Sequence, residues 1–487
     1  MLSMRMCNNP SDKELTGGQY RPLTNEDVQR IHEASLTVLE RTGVKVELPK
    51  ALDLFRSAGA WVDGSIVRIP RSMVEDAVDK APSRVLLCGR EEKHDLVLED
   101  KRVYLGTGGA ALTVIDLETG EARPASLQDV ADIARLVDAL ENIHFYLRPV
   151  VAQDVPKELL DVNKYYAALS NTTKHVMASA YSVPSAREVI EMASIIAGSE
   201  EALRERPIIS FITSWMISPL HFATETTQVL AEIVRHRIPV VLGSTPMAGS
   251  TSPVTLAGTL VQINAEELAG VVFTQLVSSG APVLYGAVPS LADMRTGSYV
   301  GGGVEFGMLN AAVAQLAQFY ELPLYNSAGL TDSKIPDIQA GYEKAFSILQ
   351  AALAGANFIH HAAGMLESMR AVAYEQYVID DEILGMAMRA VRGIEVNDET
   401  LAVQVIDRVG PAGHFLAERH TIQHMRSEFF YPRVADRQSR EDWEAAGALD
   451  ARERARQRAK EILATHRPDP IPPEIDARIR GRFRILL

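Results

Sequence analysis

Eight short β-branched runs that alternate with eight helix-period segments predict a (β/α)8 barrel, with a small helical N-terminal cap and a helical C-terminal extension. Two further observations favour a closed barrel over an open sheet. Strand starts recur roughly every 30 to 45 residues, the length of one strand, one loop and one helix. The first strand also lacks the Gly-x-Gly-x-x-Gly turn expected of a dinucleotide-binding sheet. At 487 residues and 47% hydrophobic content, the chain can bury a core of this size.

Taken in order, residues 24–84 read as small helices. Thr24 caps a turn rich in carboxylates, and Ile31, Leu36, Val38 and Leu39 follow at helical spacing. Two short helical stretches follow over 51–57 and 71–80, the second with Pro70 at its start. Strands are expected over 103–106, 144–151, 175–181, 208–215, 239–245, 282–287, 323–329 and 357–363. The helices between and after them fall at 126–140, 159–169, 185–197, 223–236, 265–279, 304–320, 336–354 and 377–392. Beyond Gly393 come Arg- and Glu-rich helical segments and a Pro-rich stretch, packed on the barrel or on a second subunit. The organisation is a cap over 1–100, a catalytic barrel over 101–395 and an extension over 396–487.

Composition narrows the function. A formal net charge of −14 argues against phosphate-neutralising contact with nucleic acid and against attraction to an anionic membrane. Two cysteines, Cys7 and Cys88, build neither a disulfide framework nor a multi-cysteine metal centre, so no bound metal is expected. No secretory h-region opens the chain, and the longest apolar runs, such as 208–220, are too short and interrupted to span a bilayer. A cytoplasmic protein that acts on small molecules or on other proteins is the expectation.

In such a barrel the chemistry sits at the C-terminal strand ends and the loops after them. Strand one ends in Gly106-Thr107-Gly108-Gly109, which suits either close backbone approach to a ligand or an ordinary tight turn. Tyr181, Trp215, Tyr285 and Tyr325 fall near the tops of strands three, four, six and seven, and Tyr104 lies on strand one. An aromatic cage for a quaternary ammonium group is one reading of these rings, and packing of alternate members against the helices is the other. The loops containing Gly249-Ser250 and Gly301-Gly302-Gly303 are small and polar, with neither nucleotide fingerprint, and suit the rim of a large cofactor or simple flexibility. Strand seven runs on through Asn326, Asp332, Lys334 and Asp337, the densest group of polar side chains at this face, part of which must cap the next helix. Strand eight carries His360 and His361, of which alternation directs at most one into the barrel. His414, His420 and His424 include an i, i+4 pair able to bind zinc, but Glu418, Arg419 and Arg426 fit a plain polar helix face equally well.

Gly106-Thr107-Gly108-Gly109, Ala328 to Lys334 with Asp337 and Gln339 to Lys344, His360 to Gly364 and the tail from His420 to Arg437 resemble the trimethylamine methyltransferase family. The resemblance runs from about residue 21 to 437. It implies a (β/α)8 barrel whose methyl acceptor is the Co(I) centre of a corrinoid (cobalamin) on a separate protein. It also implies a homo-oligomer. Archaeal trimethylamine members carry pyrrolysine; this sequence has none and is similar to the branch that demethylates quaternary amines such as glycine betaine. On that reading Tyr104, Gly108, Tyr181, Trp215, Tyr285, Tyr325, Asn326, His360 and His361 bind substrate. Gly249, Ser250 and Gly302 face the corrinoid, and Asp332, Lys334 and His361 are the catalytic candidates. The competing readings are a lyase or aldolase using Lys334 as a Schiff-base amine, and a binding protein that holds a quaternary amine or corrinoid without turnover.

Overall fold

Eight parallel strands form the centre of the computed structural model, which describes residues 15–487 and so leaves Cys7 outside the described residues. They are β1 (Tyr104–Leu105), β2 (Phe145–Leu147), β3 (His175–Ala178), β4 (Ile209–Thr213), β5 (Val240–Ser244), β6 (Val283–Ala287), β7 (Tyr325–Ser327) and β8 (Phe358–His360). One ladder joins β2 through β6 and another joins β7, β8 and β1. The parallel bridges Gly106↔Phe145 and Tyr285↔Leu324 complete the ring, so the barrel is closed.

Each strand is followed by a covering helix: α1 (Leu127–Ala139), α2 (Lys157–Leu169), α3 (Val183–Ala197), α4 (Thr224–His236), α5 (Leu256–Val277), α6 (Val304–Phe319), α7 (Ile338–Ala354) and α8 (Tyr374–Arg392). Local signals set their ends. Ser126 and Asp129 form a capping box at α1, Asp337 accepts from the Ala340 N–H at the start of α7, and left-handed Gly355 ends α7. Helix α5 is apolar nearly all round because it is covered on both sides, by the barrel and by the N-terminal helices Asn25–Arg41 and Arg71–Lys80.

The register stacks inward side chains in layers. Following the pairing round the ring with a one-residue offset per strand places Phe145, Ser210, Leu284 and Phe358 lowest, then Gly106, Met177, Val241 and Tyr325. Leu147, Ile212, Gly286 and His360 come next, and Gly108, Ser179, Gly243 and Ser327 line the top. An antiparallel hairpin, Val85–Leu87 with Leu96–Leu98, packs against Phe145, Leu147, Met177, Val241, Leu284, Tyr325 and Phe358 and plugs the lower end. The N-terminal cap is thus mixed: its three helices are joined by this hairpin and by strands at Val44–Lys45, Trp61–Asp63 and Ile66–Arg68.

Two small sheets stand above the barrel ends. One joins Met247–Ala248, Ser290–Ala292 and Tyr299–Val300, and the other joins Thr113–Ile115, Ala122–Pro124, Met365–Leu366 and Ala371–Ala373. In the extension, Ala455, Ala459 and Ile462 form the buried stripe of the helix Ala451–Thr465, which packs on α8 and α1. No helix among the described residues is long and apolar enough to cross a membrane.

Candidate functional site

The upper layers are built from small residues: Gly108, Ser179, Gly243, Gly286 and Ser327 stand where the lower layers carry Phe, Leu, Met and Tyr. Among them rises a column of rings. Phe145 stacks on Phe358 at 3.5 Å, Phe358 on Tyr325 at 5.8 Å, Tyr325 on His360 at 4.1 Å, and His360 meets His361 at 3.7 Å.

Both histidines belong to the column, contrary to the expectation from alternation. His361 adopts φ 62°, which takes it out of the strand pleat and lets its Nδ1 meet Ser327 Oγ at 2.8 Å. His360 has no hydrogen-bond partner on either ring nitrogen although it is buried. Gly108 permits this packing, since a Cβ there would lie 2.9 Å from His360 Nδ1. Burial drives the His360 pKa well below the usual imidazole value; burial, then the Lys344 charge, pushes His361 down to about 3. Both rings are neutral at physiological pH.

The segment after β7 is a scaffold that holds the mouth. Asp332 accepts hydrogen bonds from the Gly301 and Gly302 N–H groups, at 2.9 and 3.2 Å, and from Ser368 Oγ, tying together the loops after β6, β7 and β8. Glu343 on α7 accepts from Thr331 Oγ1 at 2.6 Å and from the Asp332 N–H at 2.9 Å. Fully buried Lys344 donates to the carbonyls of Gly329 and Met365 and pairs with Asp380, which itself accepts from the Gly364 N–H at 2.7 Å. Lys334 is exposed and donates to the Asp332 carbonyl at 2.8 Å. It lacks the desolvated setting that would suit a Schiff-base amine. The cap of α7 is Asp337, with Ser333 bonded to it at 2.8 Å.

Several expected site residues lie apart from the mouth, and strand alternation is the reason. Trp215 is buried at 4.6 Å from Phe222 and lies against Gly270 of α5. Tyr285 sits between the inward residues Leu284 and Gly286, so it faces outward and donates to Asn264 of α5 at 2.7 Å. Asn326 likewise turns to α6 and donates to the Asn310 carbonyl at 3.2 Å. Tyr104 stands at the foot of the barrel, where its hydroxyl accepts from the Val97 N–H of the plugging hairpin at 3.3 Å. The structure therefore gathers Gly108, Tyr325, His360 and His361, with half-exposed Tyr181 at the end of strand three, and disperses the other four. Gly249 and Ser250 lie in the rim loop after β5, and Gly302 backs onto the Glu343 carboxylate.

One buried cation carried no signal in the sequence. Arg148 directly follows β2, next to inward Leu147, and the residue is only 8% exposed. Its Nε has no hydrogen-bond partner, and among the described residues no carboxylate stands within ion-pair distance of its guanidinium. Its charge reaches Tyr325 inside the barrel, partly opposing the upward push that burial gives the phenol pKa. Among the described residues the other buried cations are satisfied: Lys164 by Asp161 at 2.5 Å, Lys344 by Asp380 at 3.2 Å, and Lys174 by the carbonyls of Val137, Leu140 and Ile143 at 2.6–2.7 Å.

The histidines of the extension lie elsewhere. His420 and His424 face each other at 4.3 Å, and His424 Nε2 stands 3.2 Å from Glu399. Among the described residues no group of three or more His, Cys, Asp or Glu side chains is placed to hold a metal ion.

Comparison with known proteins fits this geometry. Residues 7–483 match the profile of the family described as Trimethylamine methyltransferase (MTTB). The trimethylamine methyltransferase MttB of Desulfitobacterium hafniense is 43% identical over 460 residues, covering 94% of this chain and 92% of that protein. A glycine betaine methyltransferase of the same species is 36% identical over 465 residues, covering 95% and 96%. The trimethylamine methyltransferase MttB of Methanosarcina thermophila is 38% identical over 472 residues, again covering 95% and 96%.

Proposed function

The chain belongs to the trimethylamine methyltransferase family, and from that premise we propose that this methyltransferase takes its methyl group from a quaternary amine, glycine betaine first among them, and passes it to the Co(I) corrinoid of a separate protein. The observation that supports the reading is the upper barrel of small residues, where two neutral histidines end an aromatic column. Neither ring is an imidazolium acid, and a quaternary nitrogen needs no acid. It already bears its positive charge, so transfer of a methyl group to a strong nucleophile releases a neutral tertiary amine. The half-exposed ring of Tyr181 suits a weakly hydrated methylated cation, whereas the faces of Tyr325 and His360 are taken by stacking on Phe358, on each other and on His361. The chain's own task is to position the donor and exclude water.

The acceptor approaches from above, across the loops bearing Gly249, Ser250 and Gly302. A strongly reducing acceptor and the free thiol of Cys88 suit the cytoplasm. A second copy of the chain covers the apolar surface that one copy leaves bare. The solvent-facing residues of α7 are Ile338, Tyr342, Phe346 and Leu349, and the extension beside it exposes Ile394, Val396, Leu401, Val403 and Leu416.

The test is anaerobic incubation of the protein with reduced corrinoid and a panel of trimethylated amines, following loss of the Co(I) absorbance. Turnover with glycine betaine supports both reaction and donor. Turnover with trimethylamine alone refutes the quaternary donor, and silence across the panel with a cognate corrinoid protein present refutes the reaction.

A further inference from the structure

Between the covering helices α7 and α8 lies an ion pair that joins more than the helices. Lys344 of α7 and Asp380 of α8 are fully buried and stand 3.2 Å apart. Well-packed apolar side chains of similar volume hold two buried faces together at no greater cost, so packing α7 on α8 does not call for a charge pair. The other bonds of the pair go to the turns after β7 and β8. The Lys344 ammonium donates to the Gly329 carbonyl and, at 3.2 Å, to the Met365 carbonyl, while Asp380 accepts from the Gly364 N–H at 2.7 Å. Ser347, on the same side of α7, accepts from the Gly329 N–H at 3.0 Å.

The two turns lie against each other and bracket His361. Gly329 has φ 77°, and a Cβ on it would lie 2.7 Å from Ala362 Cα and 3.1 Å from the His361 carbonyl oxygen. Ser327, just before Gly329, meets the His361 ring at 2.8 Å, and Gly364 and Met365 follow His361 directly along the chain. His361 itself holds a left-handed backbone, which a residue with a side chain keeps only where its surroundings impose it. The Lys344 charge also reaches the ring, where, after burial, it opposes protonation of the imidazole.

We infer that Lys344, paired with Asp380, is a positioning residue for methyl transfer: by binding the carbonyls of both turns it fixes the left-handed bend at His361 and the seat of the imidazole on Ser327. Lys344 touches no substrate and takes no part in bond making. The inference rests on the reading of the upper barrel as the site of methyl transfer and adds to it the residue that sets the geometry of its histidine.

The test compares three variants of the intact protein. Lys344→Met/Asp380→Leu replaces the pair by apolar side chains. Lys344→Met/Asp380→Asn removes the donors to the two carbonyls and leaves an amide oxygen for Gly364. Asp380→Asn alone keeps those donors. The readouts are the ¹⁵N ring signals of His361 in histidine-labelled protein, identified by their loss in His361→Asn, the thermal midpoint, and kcat/KM for methyl transfer from glycine betaine or trimethylamine to reduced cobalamin. In Lys344→Met/Asp380→Leu the thermal midpoint is expected at or above that of wild type. In both double variants the Nδ1 signal moves to the position it takes in Ser327→Ala, and kcat/KM falls about 100-fold. Asp380→Asn keeps the wild-type ring signal and a kcat/KM within about threefold. An unmoved His361 signal in a folded double variant overturns the inference, and so does a ring displaced as far in Asp380→Asn as in the double variants. If neither double variant folds, the pair is structural and the inference falls. Silence of the wild type with both donors refutes the methyl-transfer reading instead, and the ring signal, which needs no turnover, tells the two failures apart.

Discussion

The lower and upper halves of one barrel are built from the same eight strands and differ in almost everything else. Below, Phe145, Leu284, Phe358, Met177 and Val241 fill the interior and the Val85–Leu87 hairpin seals it. Above, glycines and serines alternate with two histidines, and polar atoms stand without partners on His360 and Arg148. The lower half secures stability by close packing, whereas the upper half leaves hydrogen bonds unmade on buried polar groups. The contrast shows where this chain can be altered at the expense of folding and where at the expense of chemistry.

Substitutions in the two halves separate these effects. Phe358→Ala, which empties the lowest layer, is expected to destabilise the protein by about 3–5 kcal/mol in denaturant unfolding; a loss of methyl transfer at full stability would place function in the wrong half. His361→Ala is expected to lower kcat/KM by about 100-fold with a thermal midpoint near that of wild type, since it frees the ring column at the mouth. Ser327→Ala, which removes only the hydrogen bond that orients His361, is expected to cost about 10-fold.

A pH series reads the buried imidazoles directly. Burial holds His144 and His175 at about 4, well below the value near 6.5 that they regain in the unfolded chain. The unfolded state then binds more protons, so the stability these groups contribute is complete above about pH 6.5 and is lost as the pH falls toward 4. Unfolding midpoints measured from pH 8 to 4 are expected to decline only below that threshold, and a protein equally stable at pH 4.5 and 7.5 would contradict the assignment. The smallest effect is on the outer surface. Phe346→Glu on α7 is expected to lower the association state in light scattering while leaving the unfolding of the single chain nearly unchanged.

How far the sequence reached follows the same division. All eight strands and eight helices were legible, because apolar periodicity and strand spacing are local signals that a barrel must repeat. The plugging hairpin was not, since three-residue strands leave too little pattern. At the site, residue type identified the strand tops but not their faces: Trp215 and Tyr285 pack outward, and only the register separates them from Tyr325. Alternation, sound for a regular strand, missed His361 because its backbone turns left-handed one residue beyond β8. Arg148 left no mark at all, for a charge at a strand end is ordinary until its surroundings show that it has no partner.

The most direct test of the central claim is a carbon balance under anaerobic conditions. Glycine betaine carrying ¹³C in its methyl groups is incubated with the enzyme and its reduced corrinoid protein, and both products are followed by NMR. The account predicts one dimethylglycine for each ¹³C-methyl group found on cobalt. Loss of glycine betaine without labelled methyl on the corrinoid, or labelled corrinoid formed only from trimethylamine, would contradict it.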